Sequence, residues 1–317
     1  MNKEFTIIPN QLFYTNNNEL SLYKKINNYK LLFILDYMYM GTDRNGLVRF
    51  SLSNIMNMYN IKQSRRKGES NEQITNIILE MNKIKLIEIK ESVNKIPINQ
   101  LFECTYNGLL KNEYGNYIHF TKIERNKFNK ILNYKSTFNN ISLLFYYCYL
   151  CSRIYTRGNE NGDIIDSGGY AEICYPSYKT ISEDTDLSEQ TIKKYNDILV
   201  SMDLIRIGNL GLYYIGEDKK FKRESPNFYT LVNDNDYNID KKETTWYSNL
   251  KYGMNCYKLK HPEYKFLGTR QYVDNDRSNN CFIGTINRLE KEGKATKKQI
   301  EKRDKLISDK EKLTTQT

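Results

Sequence analysis

Leu187–Ile205, LSEQTIKKYNDILVSMDLI, is the stretch that decides the fold class. Ser188 stands where a helix begins, and its hydroxyl suits an N-cap. Ile192, Tyr195, Leu199 and Met202 follow at 3/4/3 spacing, which makes one apolar stripe on an otherwise polar helix. Leu187 falls in the turn ahead of it, and Leu204 and Ile205 lead out into a strand. Just upstream, Ser177–Asp186 reads as a shorter helix, so the two form a turn-linked pair. With the stripe buried, Glu189, Gln190, Lys193, Lys194 and Asp197 project to the opposite side.

Working outward, the same pattern occurs earlier in the chain. NEQITNIILEMNKIKLIEI at Asn71–Ile89 echoes Ser188–Ile207. LLF at Leu31–Phe33 echoes LLF at Leu143–Phe145, and FTIIPNQLF at Phe5–Phe13 echoes FTKIERNKF at Phe120–Phe128. Three matches in one order, at offsets of 115, 112 and 117–118, define two copies of one module, about 1–112 and 113–232. Each copy reads as a short strand, an apolar helix (about 21–40 and 136–154), and a short strand (Leu47–Ser51; Ala171–Tyr175). Two helices and a two-stranded ribbon follow. The ribbons are Lys85–Lys90 with Leu101–Thr105, and Leu204–Ile207 with Asn227–Val232 joined by a basic, Gly-rich loop.

That layout resembles a winged helix-turn-helix. Leu-Ser-x-x-Thr-Ile at Leu187–Ile192, Leu199 seven residues on and Leu204–Ile205 entering the ribbon are similar to the recognition helix of gluconate-repressor-type winged helices. Asp203 departs from that pattern, which usually has Gly there. The expected fold class is therefore α+β, mainly helical, with two tandem winged helix-turn-helix modules and a charged helical C-terminal tail.

The resemblance implies contact with duplex DNA through the outward face of the second helix. Gln190 can bond bidentately to adenine, and Lys193 and Lys194 can reach guanine or a phosphate. Glu189 can accept from a cytosine amino group or simply favour the helix N-terminus. In copy one Ser70 stands as a cap, and Ile74, Ile77, Ile78, Met81, Leu86 and Ile87 repeat the stripe. The preceding loop IKQSRRKGES sets Lys62, Arg65, Arg66 and Lys67 where phosphates would lie. The loop of the second ribbon carries KKFKR, in which Lys219, Lys220, Lys222 and Arg223 suit the backbone or minor groove.

The remaining third says less. Residues 233–283 are Asn/Asp-rich and read as an irregular or small helical connection, and 284–317 as a charged helical or disordered tail without an unbroken heptad. Net charge is +10, divided as +4, +2 and +4 over 1–110, 111–283 and 284–317. With 38 Asn and 27 Tyr but one Trp and five Pro, the composition favours AT-rich codons and points to a low-GC bacterium or its mobile element.

Several chemistries are disfavoured by the sequence. The apolar runs Leu31–Met40 and Ile141–Cys151 are about half a membrane span, and Asp36 interrupts the first. The start MNKEFTIIPN has no secretory pattern, so a cytoplasmic location is expected. Six cysteines read as reduced thiols, with Cys148 and Cys151 in an apolar helix rather than at a zinc site. The two histidines, His119 and His261, are 142 residues apart, and no phosphate-binding GxxxxGK[ST], HExxH or GxSxG motif occurs. The acidic pairs Asp184/Asp186 and Asp274/Asp276 lie in polar, turn-rich contexts that capping or solvation explains. No catalytic residue, metal or cofactor is assigned, and the chain is read as a non-enzyme.

Architecture and composition together resemble plasmid and phage replication initiators of low-GC Gram-positive bacteria. That resemblance implies binding to origin repeats, local strand opening and recruitment of host replication proteins. Two other readings stand beside it: a transcriptional or segregation regulator on a mobile element, and a protein-interaction scaffold in a replication or conjugation complex. The oligomeric state is open, a dimer included.

Overall fold

The computed structural model describes the chain except residues 1–3, 15–18, 92–94, 110–117, 136–138, 155–171, 217–221, 233–244, 269–281, 292–294 and 315–317, with backbone only from 309 to 314. The fold is mixed α+β, with helices predominating and small antiparallel sheets. Two compact units can be distinguished: Met1–Ile207 with Phe228–Gly253, and Gly208–Asn227 with Met254–Thr317.

The first unit contains the described parts of copy one and, of copy two, those outside 208–227. In copy one the order is β1 (Phe5–Pro9), a 3-10 turn, α1 (Leu22–Ile26), α2 (Leu31–Gly41), β2 (Leu47–Phe50), α3 (Leu52–Met58), α4 (Ser70–Lys83), β3 (Ile87–Ile89) and β4 (Phe102–Tyr106). Copy two runs β5 (Phe120–Glu124), α5 (Arg125–Leu132), α6 (Asn140–Arg153), α7 (Tyr178–Thr185), α8 (Glu189–Ser201), β6 (Ile205–Asn209) and β9 (Asn227–Leu231). The sheets match as well. In copy one the strand order is β2-β4-β3, and in copy two Cys174 bridges Tyr229 of β9, which pairs with β6. The single apolar helix expected over 21–40 is in fact two, because Asn27 caps α1 in the left-handed region at φ 52°.

Both α4 and α8 end in the same way. After α8, Leu204 N donates to Leu199 O and Asp203 N to Val200 O; after α4, Leu86 N donates to Met81 O and Lys85 N to Asn82 O. This is the Schellman pattern, which requires a left-handed residue at the corner. Asp203 (φ 53°) and Lys85 (φ 61°) fill that corner without being glycine. The departure of Asp203 from the expected Gly therefore leaves the helix end unchanged in form. The predicted stripes are buried: Ile192, Tyr195, Leu199 and Met202 on α8, and Ile74, Ile77, Ile78 and Met81 on α4.

The two copies meet through the segments that match best in sequence. β1 pairs antiparallel with β5, with Phe5 opposite Glu124, Ile7 opposite Lys122 and Pro9 opposite Phe120. At the 115-residue offset of the repeat, Phe5 corresponds to Phe120 and Pro9 to Glu124, so the ladder maps onto itself about the Ile7–Lys122 pair. The flanking bonds obey the same two-fold: Asn10 N donates to His119 O and Arg125 N to Glu4 O, both at 2.9 Å. Side chains are exchanged reciprocally. Phe13 meets Phe145 of α6 edge-on at 5.1 Å, and its counterpart Phe128 meets Phe33 of α2 at 6.5 Å. A self-complementary contact needs the same residues in both halves, which accounts for the persistence of FTxxxxxxF and LLF.

One buried ion pair crosses this seam. Asp36 of α2 is fully buried and takes both guanidinium nitrogens of Arg125, at 2.7 and 2.8 Å. It also accepts from Tyr59 Oη at 2.7 Å and from Thr6 Oγ1. Burial opposes charge on Arg125, but the Asp36 hydrogen bonds and charge outweigh it and raise the arginine pKa. Burial, then the Asp36 charge, pushes the Tyr59 phenol up. Cys148 and Cys151 lie buried in α6, where desolvation raises both thiols, Cys151 to about 12. No helix among the described residues is long and apolar enough to cross a membrane.

The second unit revises two expectations. The basic loop of the second ribbon folds into β7 (Leu212–Ile215) and β8 (Arg223–Glu224). The region expected to be an irregular or small helical connection supplies the helix α9 (Thr245–Lys260), of which 254–260 belong to the second unit, and also a strand, β10 (Tyr264–Gly268), giving a sheet of order β10-β7-β8. Tyr213, Tyr264 and Phe266 cluster on it, with His261 stacked on Tyr264 at 4.6 Å. The tail forms α10 (282–291) and α11 (Lys297–Thr314), tied together by Arg303, which pairs with Glu290 and donates to Asn287 at 2.9 Å. Ile286 is buried beneath them.

Candidate nucleic-acid interface

α8 is positioned from three directions. Its N-terminus is capped by Ser188, whose Oγ accepts from Thr191 N at 3.2 Å. Its inner face is pinned to α6: Tyr195 Oη and Ser142 Oγ are 2.5 Å apart, and Tyr146 donates to Asn196 Oδ1 at 2.7 Å. Beside it, α7 is capped at Ser177 and turns into α8 through Asp186, left-handed at φ 55°. The result is a rigid helix whose outward face carries Ser188, Glu189, Gln190, Lys193, Lys194 and Asp197, all exposed. Lys193 Nζ lies 5.5 Å from the centre of the Tyr178 ring on α7. This is one polar, cation-bearing surface with two amines and an amide within two helical turns.

The acidic pair before α8 has a structural explanation different from solvation. Asp184 pairs with Arg153 at 2.5 Å and accepts from Tyr149 at 2.8 Å, and Asp186 pairs with Lys24 at 2.5 Å. Asp274 and Asp276 lie outside the described residues.

The basic loop ahead of α4 is built rather than loose. Ser64 N donates to Asn71 Oδ1 at 2.9 Å, Gly68 N to Glu72 Oε2 at 2.6 Å, and Gln73 Nε2 to Gly68 O at 2.7 Å. Ser70, expected to cap the helix, is its first residue; the cap position is Glu69, and Ser70 Oγ donates to Lys62 O. Gly68 turns the chain at φ 77°, a region that glycine enters without penalty. Lys62, Arg65, Arg66 and Lys67 are all exposed on this frame. A surface hollow of about 540 Å³ is bounded by Lys62, Ser64, Arg66, Gly68, Gln73 and Lys30. A second of about 440 Å³ is bounded by Arg65, Arg66, Asn71 and Thr75.

Lys30 was not among the sequence candidates. It sits at the start of α2, donates to Gln73 Oε1 at 2.5 Å, and burial lowers its pKa. Forty-three residues separate the two partners, so no local motif announces the contact.

The third expected cluster divides. Lys219 and Lys220 lie outside the described residues. Lys222 and Arg223 are exposed, with Arg223 opening β8 opposite Tyr213, on the second unit's sheet. Charge follows the same partition. The second unit's segments, 208–227 and 254–317, hold 19 Lys and Arg against 12 Asp and Glu, which is +7 of the chain's +10. Grouped by compact unit, the positive charge is thus weighted toward the second unit, in which 284–317 alone contribute +4.

Neither protein-family models nor curated proteins give a match to this chain.

Proposed function

We propose that the chain is a sequence-specific duplex-DNA-binding protein built from two winged helix-turn-helix modules, acting as a replication initiator on a plasmid or phage. The observation that carries this reading is the double occurrence of one arrangement. A short helix, an amphipathic helix, a left-handed Schellman corner and a strand pair follow one another in both copies. In such a module the second helix of the pair lies along the major groove, where its outward side chains can reach base edges or phosphates. Gln190, Lys193 and Lys194 on α8 have the donors for that task, and the exposed cations at 62–67 suit the backbone. The two-fold ladder of β1 and β5 supports inverted placement of the modules, so the half-sites would run in opposite directions.

A salt titration tests duplex binding. Affinity for a duplex carrying the gene's own flanking sequence should fall steeply with salt, and Lys193→Ala with Lys194→Ala should flatten the slope by about 2. Salt-insensitive or absent duplex binding by the folded chain would leave the protein-interaction scaffold as the better account. Autonomous replication of a plasmid bearing only this gene and its flanks separates initiator from regulator: an initiator supports it and a regulator does not.

A further inference from the structure

The corner equivalence of Lys85 with Asp203 fixes an offset of 118 between α4 and α8, and it aligns their outward faces residue by residue. Glu189, Gln190, Lys193 and Lys194 of α8 then correspond to Asn71, Glu72, Thr75 and Asn76 of α4. The two faces differ in what their side chains are already doing. On α8, the cap hydroxyl of Ser188 satisfies the first turn from behind, and Glu189 and Gln190 stand exposed. On α4, the corresponding Asn71 and Glu72 each spend an acceptor oxygen on the loop, at Ser64 N and Gly68 N. Gln73 adds its amide to Gly68 O and accepts from Lys30. The turn of α4 that would face base edges is thus occupied in holding residues 62–68. Lys193 and Lys194, the amines of α8, are replaced by Thr75 and Asn76.

We infer that the first module is a preformed phosphate clamp indifferent to base sequence, and that base discrimination comes from α8 of the second module. This rests on the duplex-binding reading above and names how its two contacts divide the work. The chemistry is consistent on both sides. Four exposed cations on a hydrogen-bonded frame, three of them bordering two hollows, offer charge with little ordering cost to a backbone that has the same phosphates at every sequence. An acceptor already committed to a backbone N–H must leave it unsatisfied to reach a base, at the cost of a stranded polar group. Glu72 and Asn71 therefore position the clamp. A site bound by one chain should consist of one specified block next to a contacted stretch of no fixed sequence, although the modules are arranged as an inverted pair.

Selection from duplexes randomised over roughly three helical turns, using the intact chain, decides the matter together with phosphate-ethylation interference on the selected pool. The expected result is one enriched block, with interference extending about one turn beyond it into unenriched sequence. Two enriched blocks in inverted orientation would overturn the inference while leaving duplex binding intact. Failure to enrich any duplex would instead remove the duplex-binding reading itself. Variants give an independent answer. Arg65→Ala with Arg66→Ala should lower the salt slope by about 2 without altering base preference. Glu72→Gln, which keeps an oxygen for Gly68 N, should leave preference unchanged, whereas Gln190→Ala should relax it at one position. Altered preference in Glu72→Gln would show that α4 reads bases and would overturn the division of labour.

Discussion

Replacing Asp36 by alanine strikes the seam between the two copies at a fully buried charge. The carboxylate is fully buried and receives Arg125 through two hydrogen bonds, Tyr59 through one, and Thr6. Its loss strands a guanidinium whose side chain is only 20% exposed, together with two hydroxyls. Breaking a buried pair by removing one partner costs about 3–5 kcal/mol, and the residual exposure of Arg125 argues for the lower end, about 3 kcal/mol. For a unit of this size that corresponds to a fall in Tm of roughly 6–12 °C. The double replacement Asp36→Leu with Arg125→Met removes both charges and should recover most of the loss, since apolar side chains of similar volume replace buried pairs with little penalty. Urea unfolding of wild type, Asp36→Leu, Arg125→Met and the double variant yields the coupling energy. A loss below about 1 kcal/mol for Asp36→Ala, or additivity within about 0.5 kcal/mol across the cycle, would refute the account of this seam.

Further expectations follow from the same geometry. Lys85→Gly should stabilise the protein by about 1 kcal/mol, because the left-handed corner at φ 61° costs a residue with a Cβ more than it costs glycine; a lower urea midpoint would contradict this. Stability should also fall in alkali. Burial raises the thiols of Cys104, Cys148, Cys151 and Cys174 and the phenols of Tyr59, Tyr146, Tyr147 and Tyr149 above their unfolded values of 9.0 and 10.0. With folded values above unfolded ones, the contribution is complete below pH 9 and is lost as pH rises past the unfolded values, at about 1.4 kcal/mol per pH unit per group. A urea midpoint that stays level between pH 8.5 and 10.5 would show these groups to be accessible. For DNA, removing the duplex beyond the enriched block on the side of residues 62–67 should reduce affinity, whereas inserting about 5 bp there should not, since every sequence offers the same phosphates. Affinity unchanged by the truncation would mean that the loop makes no contact.

How far the chain could be read in advance depended on the range of each interaction. α4 and α8, their buried stripes and their exits at Leu86 and Leu204 were legible because periodicity and capping act within a few residues. The repeat was legible too, but not its reason: the register of β1 on β5 and the contacts of Phe13 with Phe145 and of Phe128 with Phe33 join residues 95 or more positions apart. Asp36 read only as a break in an apolar run, since its partner Arg125 lies 89 residues away. The loop 62–69 showed its charge but not its frame, because Asn71, Glu72 and Gln73 look like ordinary polar helix residues. β7 and β10 were missed because their pairing joins segments with 48 or more residues between them, and Tyr264 lies in a stretch whose Asn and Asp content suggests irregular chain.

The central claim is that α8 meets the bases of a duplex. A photoreactive side chain placed at position 190 of the intact protein, bound to a selected duplex and irradiated, tests it directly. The account predicts cross-links to bases from the major-groove side within the enriched block, abolished by competing duplex and weakened by salt. Cross-links confined to the backbone or absent from position 190, in a complex that still forms, would contradict it.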